Sequence, residues 1–109
     1  MKAAVLDKAR VRPRVVYPES DGKPIGESDV HIGVILYLRS ALRWLFRELR
    51  TVYVAADMLF YYEEGEPMSC VCPDVFVVQG IGTHDRKTFK LWEEKVAPSL
   101  VVEIGRAHV

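Results

Sequence analysis

Two acidic residues interrupt runs of apolar, strand-forming residues, and this context indicates chemistry. Asp74 follows Pro73 and precedes the apolar run 75–78, while Glu103 follows the apolar run 100–102. Burying a carboxylate without a partner costs free energy, and one divalent cation could partner both acids. Such a pair suits a Mg²⁺ site for phosphodiester hydrolysis, where the ion polarises the phosphate and acidifies the attacking water.

Both acids also have an ordinary structural interpretation. An aspartate after a proline is common at the start of a strand, and a glutamate within a strand often points to solvent. The two interpretations differ in geometry. To share one Mg²⁺ ion at Mg–O distances near 2.1 Å, the two carboxylates must lie about 4–6 Å apart.

A long helix is predicted ahead of these acids, ending at about Leu49. Ser28 or Asp29 can cap its start, where acidic residues suit the positive end of the helix dipole. Apolar residues then recur at helical spacing and predict the face that packs on the core. This stripe comprises Val30, Val34, Leu38, Ala41 and Leu45, widened by Ile35, Leu42 and Phe46.

A second face of the predicted helix is basic. Its arginines recur every three or four residues, at Arg39, Arg43, Arg47 and Arg50. Such a stripe is either a solvated face or a surface that lies along a nucleic-acid backbone. The same two interpretations apply to the basic arm 1–16, which is a solvated tail or a phosphate-contacting segment.

Three strands follow the helix in the sequence pattern. They cover residues 51–62, 71–78 and 100–104, the second interrupted near its start by Pro73 and Asp74. A polar stretch from Lys90 to Lys95 is expected to be a short helix. This order predicts an α/β or α+β fold in which the long helix packs on a sheet.

Length and composition limit the classes of protein. The 109 residues correspond to one domain or a fragment of one, and 15 basic residues balance 15 acidic ones, so net charge gives no nucleic-acid signal. Cys70 and Cys72 are too close for an easy disulfide and form a weak zinc signal, which favours a reducing, cytoplasmic compartment. No apolar run approaches the length of a membrane span.

Several segments in the correct order resemble the Uma2 family of PD-(D/E)xK endonucleases. The segment 17–31 looks like the N-terminal part of such proteins, and 61–65 resembles a family hairpin. Pro73 and Asp74 with 75–78 resemble the PD motif. The segments 90–95 and 97–104 resemble the region that leads to the catalytic glutamate.

This resemblance implies a restriction-endonuclease-like core and Mg²⁺- or Mn²⁺-dependent cleavage of DNA. It implies that Asp74 and Glu103 are metal ligands and that the backbone carbonyl of Ile104 is a third. Glu27 stands where related folds often place an additional catalytic acid. His31 is a packing or capping residue by type, although its position is similar to that of a recurrent family histidine.

The sequence departs from the family pattern at its end. Gly105 occupies the lysine position of the E-x-K element. The resemblance also implies an alternative, a serine-rich stretch after the glutamate with the lysine supplied from further along the chain, and we expect that the family's next strand and closing helix are absent here. The residues 104–109 can be encoded by ATC GGA AGA GCA CAC GTC, a string common in sequencing adapters. We therefore expect residues 1–104 to be an incomplete endonuclease domain and 105–109 to be a non-native tail.

Three functional hypotheses remain open. The first is a DNA endonuclease whose incomplete active site leaves this chain inactive or weakly active. The second is a nucleic-acid-binding module of the same fold without catalysis, and the third is an interaction domain with incidental acids. Nucleases of this type often pair to cut both strands, so a homodimer is an expected assembly, and a chain lacking a strand and a helix should be marginally stable.

Overall fold

A computed structural model describes residues 14–20 and 29–105 of the chain. Within them, helix α1 (Asp29–Leu45) is followed by strands β1 (Val52–Ala56), β2 (Phe60–Tyr61), β3 (Cys70–Val71) and β4 (Val75–Gln79). Strand β5 (Phe89–Lys90), helix α2 (Leu91–Glu94) and strand β6 (Leu100–Val102) complete the order.

The strands form two sheets. In the larger sheet, β4 lies between β1 and β6 and pairs antiparallel with both. In the smaller sheet, β2 lies between β3 and β5, antiparallel to the first and parallel to the second. The predicted α+β class is confirmed. Helix α1 packs on one face of the larger sheet, and the smaller sheet, which is mixed, packs on the opposite face.

Strand alternation divides the core into two clusters, one on each face of the larger sheet. Val54, Val75 and Val77 point toward α1 and pack with Ile35. The opposite cluster contains alternate residues of β1 and β4, two phenylalanines of the smaller sheet and one residue that follows β4. Its members are Tyr53, Ala55, Phe60, Phe76, Val78, Ile81 and Phe89. Strand β4 is thus buried on both faces, which explains its continuous apolar run.

Three phenylalanines connect the two sheets. Phe60 and Phe89 of the smaller sheet stack with centroids 5.0 Å apart and planes 8° apart. Phe76 of β4 meets both rings edge-on, at 5.7 and 5.5 Å. These geometries are favourable for aromatic pairs and place a well-packed contact between the sheets.

The predicted strand 51–62 is wrong as a single element. Asp57 has a φ of 50°, in the left-handed region, and divides the segment into β1 and β2, which belong to different sheets. The predicted strand 71–78 is likewise divided at Pro73 and Asp74. Its first residue, Val71, belongs to β3, and its residues 75–78 belong to β4. The expected strand 100–104 is confirmed in its first three residues, and the short helix lies within 90–95.

The predicted helix is confirmed from Asp29, its predicted end is wrong, and its predicted packing face is confirmed in part. Helix α1 ends at Leu45, and turns continue to about residue 51. The packing side chains include Ile35, Leu38, Leu42 and Phe46, whereas Val30 and Leu45 are 76% and 65% exposed. The apolar arc is wider than the contact with the sheet, so three of the eight predicted residues, Val30, Val34 and Leu45, are exposed.

Candidate active site

Pairing of β4 with β6 brings the two predicted acids to the same end of the larger sheet. Val75 pairs with Val102 in this antiparallel ladder. Asp74 directly precedes Val75, and Glu103 directly follows Val102. The two acids therefore lie opposite each other at the ends of the neighbouring strands β4 and β6. The apolar runs that flank them form the pairing strands, and this explains why residues 29 positions apart meet.

Each acid contacts the backbone at the end of the other's strand. The amide N of Asp74 donates to Glu103 Oε1 at 3.4 Å, and the amide N of Ile104 donates to Asp74 Oδ2 at 2.6 Å. The second bond is short, as expected for a donor facing a carboxylate. These two contacts hold both acids at the junction of the strands.

Helix α1 contributes a histidine to the same junction. His31 Nε2 lies 3.8 Å from Asp74 Oδ1, and both residues are buried, with 7% and 8% of their surfaces exposed. The helix therefore supplies a polar side chain directly over the aspartate. The hydrogen bond from the Ile104 amide supplies the polar partner that a buried carboxylate needs, and His31 lies near the other oxygen of Asp74 at more than hydrogen-bond distance.

The donor set at this junction suits a hard cation. Mg²⁺ is commonly held by one or two carboxylates and keeps several of its waters. Within residues 14–20 and 29–105, no group of three or more His, Cys, Asp and Glu side chains is arranged to hold a metal ion. A site here would therefore use Asp74, Glu103, a backbone oxygen such as that of Ile104, and water. Glu27 lies outside the described residues, and its predicted role stays a prediction.

Gly105, where the resemblance would place a lysine, is exposed. No described atom beyond its chain neighbours lies within 4 Å of a Cβ built at this residue. A side chain can therefore be introduced here without a clash among the described residues.

An open apolar groove adjoins Glu103. Its volume is about 560 Å³, and it lies between the smaller sheet and the β6 edge of the larger one. Besides Glu103, its lining residues are Phe60, Val71, Cys72, Pro73, Pro98 and Val101. Sequence reasoning did not find this groove, because its walls come from four separate segments.

The predicted arginine stripe is not one uniform surface. Arg39 is partly buried, and its Nε makes no hydrogen bond within the described chain. Arg43 is exposed, yet its Nε and Nη2 donate to the carbonyl of Val54 at 3.3 and 3.0 Å. Arg47 and Arg50 are exposed beyond the end of α1.

A second polar pair, absent from the sequence predictions, lies beside Tyr53 of β1. Arg86 Nε and Nη2 donate to the two carboxylate oxygens of Glu94 at 2.7 and 3.1 Å, and the Arg86 guanidinium lies 4.4 Å from the centroid of the Tyr53 ring. Burial lowers the pKa of Arg86, but the hydrogen bond and charge of Glu94 outweigh it and raise that pKa above its ordinary value. The spacing of eight residues gives no local signal for this pair.

The two cysteines are free thiols. Cys72 is exposed, and its Sγ donates to Asp57 Oδ1 at 3.5 Å, while Cys70 lies half-buried in β3. Cys72 lies two residues before Asp74 and lines the apolar groove.

Comparisons with known proteins give no family for this chain. No protein-family model, curated protein or solved structure matches it. None of the described helices is long and apolar enough to span a membrane. The cytoplasmic location and the homodimer therefore stay predictions.

Proposed function

We propose that the chain carries the metal-binding acids of a Mg²⁺-dependent DNA endonuclease with a restriction-endonuclease-like core. The observation that supports this proposal is the placement of Asp74 and Glu103 at one end of two paired strands. Two carboxylates at such a junction form a donor set for Mg²⁺ or Mn²⁺. The sequence resemblance to the Uma2 family supplies the reaction class.

The proposal assigns separate roles to the residues at the junction. Asp74 and Glu103 bind the ion, which would polarise the scissile phosphate and acidify the attacking water. The amide of Ile104 orients the Asp74 carboxylate by its hydrogen bond. Ile104 lies two residues beyond the end of β6, and the proposal keeps its carbonyl as a third ligand because the family resemblance implies it.

The missing lysine limits the activity expected from this chain. A lysine beside the acids would orient the water or neutralise developing charge, and Gly105 has no side chain to do so. We therefore expect little or no cleavage by the wild-type sequence. Gly105→Lys should restore a cation at this position, where the described neighbours leave space for it.

Plasmid nicking tests this assignment. Supercoiled DNA is incubated with Mg²⁺ or Mn²⁺ and with the wild type, Gly105→Lys, or Gly105→Lys combined with Asp74→Asn. The expected result is a nicking rate raised about tenfold or more by Gly105→Lys and abolished by the added Asp74→Asn, in line with the usual contribution of one positioned charged group. Gly105→Arg is the matched control, since it adds the same charge with a different geometry.

A nucleic-acid-binding or interaction module without catalysis is the second candidate. It is favoured by Gly105 and by the bond from the Ile104 amide, which already satisfies one oxygen of Asp74. Plasmid binding without nicking by any of the folded variants would support this candidate and overturn the endonuclease proposal. Absence of both binding and nicking would overturn both nucleic-acid hypotheses.

A further inference from the structure

A cleft lies where the end of α1 meets the beginning of β1. It has a volume of about 230 Å³, and three of its lining residues are Arg43, Arg47 and Arg50. The other lining residues are Phe46, Leu49, Val52, Tyr53, Val54 and Thr83. We refer to it as the arginine cleft. It opens near the Gln79 end of β4, and Asp74 precedes the opposite end of that strand, about 17 Å away at 3.4 Å per residue.

The arginine cleft is strongly basic. None of its described lining residues is acidic, and the described ion pairs include none of its three arginines. Cations are favoured at the end of a helix, because its last carbonyls carry partial negative charge. The helix dipole explains only part of this basic character, since Arg50 lies five residues beyond the end of α1 and donates to none of the last helix carbonyls among its described contacts.

Two of the three guanidinium groups are fixed in place. Arg43 is held by the Val54 carbonyl, and Arg47 Nη1 donates to the carbonyl of Trp44 at 2.8 Å. The Arg47 guanidinium also lies 3.8 Å from the centroid of the Trp44 ring. An arginine carries five N–H donors, so both side chains keep donors for a ligand. Their fixed positions reduce the side-chain entropy lost when a ligand binds.

We propose that the arginine cleft binds a terminal phosphate group, in particular the 5′-phosphate of a nucleic-acid end. Guanidinium groups match the geometry of phosphate oxygens and bind them with pairs of hydrogen bonds. A doubly charged terminal phosphate gains more from three cations than a singly charged backbone phosphodiester does. The volume lies below the roughly 300–1,000 Å³ of ordinary small-molecule pockets, which favours a small anion over a whole nucleotide.

This site is independent of the acid pair. It uses neither Asp74 nor Glu103, and it requires no metal. A 5′-phosphate site would make the chain prefer nucleic-acid ends, nicks or gaps over uninterrupted duplex.

Trp44 provides a direct optical readout, because Arg47 lies against its ring. In a Trp92→Phe background, which leaves Trp44 as the single tryptophan, its fluorescence is titrated with a 5′-phosphorylated oligonucleotide and its 5′-hydroxyl twin. The buffer contains EDTA, so that failure of metal-dependent cleavage cannot affect the result. Pyrophosphate, as a free anion, is titrated separately and as a competitor.

We expect the phosphorylated oligonucleotide to bind at least about tenfold more tightly than its twin, in line with the added charge-assisted hydrogen bonds. Arg50→Gln should remove most of this difference, because it removes one of the three cations of the cleft. Arg50 is exposed and its replacement breaks no described contact, so the fold should be retained. Arg14→Gln, which removes an exposed arginine outside the cleft, should retain it.

Equal binding of the two oligonucleotides, with equal effects of Arg50→Gln and Arg14→Gln, would overturn the proposal. Pyrophosphate binding that depends on Arg50, without any preference for the 5′-phosphate, would assign the cleft to a free phosphate anion instead and overturn the nucleic-acid end. Circular dichroism of each variant establishes that the fold is retained.

Discussion

The amide of Asp74 donates to the carboxylate of Glu103, and the amide next to Glu103 donates in turn to the carboxylate of Asp74. The two residues thus form a reciprocal pair at the ends of β4 and β6. The pair has a structural role, since it satisfies backbone donors where the ladder ends. The structural role uses backbone amides and one oxygen of each carboxylate, whereas a metal-binding role would use the charge of both carboxylates. Substitutions can therefore separate the two roles.

Asp74→Ala should destabilise the fold, whereas Asp74→Asn should not to the same degree. Alanine leaves the Ile104 amide without its acceptor, at a cost of about 1–3 kcal/mol, while asparagine retains a carbonyl oxygen for that bond. Urea denaturation of both variants measures the difference. Equal stabilities of the two variants would show that the short bond to Ile104 contributes little.

Phe89→Ala should lower the free energy of unfolding by about 3–5 kcal/mol, the usual cost of removing a buried phenyl ring. Phe89 is fully buried between the two sheets and packs against Phe60 and Phe76. Tyr62→Ala is the matched control, because this aromatic residue is half exposed, and its loss should cost less than about 1 kcal/mol. Comparable costs in the two variants would contradict the aromatic contact as the link between the sheets.

Glu94→Gln should destabilise the protein by about 1–3 kcal/mol, because it leaves the charge of Arg86 without its carboxylate partner. Only 5% of the Arg86 side chain and 19% of the Glu94 side chain are exposed, so solvent cannot replace the lost contact well. Glu93→Gln, at the exposed neighbouring position, serves as the control. Thermal unfolding of the two variants should differ, and indistinguishable curves would contradict this account of the pair.

Tyr61 should make the stability depend on alkaline pH. Burial raises the pKa of Tyr61 above its ordinary value, and its hydroxyl donates to the Pro18 carbonyl. The folded state therefore holds this proton at pH values where the unfolded state releases it. Stability is full below about pH 10 and falls as the pH rises through the folded pKa.

Unfolding midpoints in urea, measured between about pH 9 and 11, test this dependence. Tyr61→Phe should flatten the fall in stability above about pH 10, where the ordinary tyrosine titrates. Tyr62→Phe, at the exposed neighbour, should leave the fall as in the wild type. An unchanged slope in Tyr61→Phe would assign the alkaline loss to another group.

The residue pattern within single segments predicted some helices and strands and missed the bounds of others. The apolar runs beside Asp74 and Glu103 predicted two strands but not that these strands pair. The run 75–78 is continuously apolar because β4 is buried on both faces, whereas Leu100 and Val101 of β6 are about half exposed. The division at Asp57 was not predicted, since a single aspartate in the left-handed region gives a weak signal within a β-rich run. The helical period located α1 but could not select which half of its apolar arc meets the sheet.

Long-range contacts account for the remaining differences. The Arg43 guanidinium binds a carbonyl 11 residues away, and the arginine cleft includes Thr83 from a distant loop. Neither contact follows from the regular spacing of the four arginines in the sequence, and Arg47 and Arg50 lie beyond the end of α1. Asp74 and Glu103 were selected by their sequence context and their metal-binding role stays a prediction, whereas their reciprocal hydrogen bonds depend on the antiparallel register.

Binding of Mn²⁺ tests the central claim most directly, because it reports on the acid pair whether or not the chain cleaves DNA. Electron paramagnetic resonance counts the free ion during titration of the wild type, Asp74→Asn, Glu103→Gln and the exposed control Glu93→Gln. We expect one Mn²⁺ site, weakened about tenfold or more by Asp74→Asn or Glu103→Gln, in line with the loss of one of two carboxylate ligands, and unaffected by Glu93→Gln. A folded wild type that binds no Mn²⁺ at millimolar concentration, or binds it equally in all four proteins, would contradict the metal site.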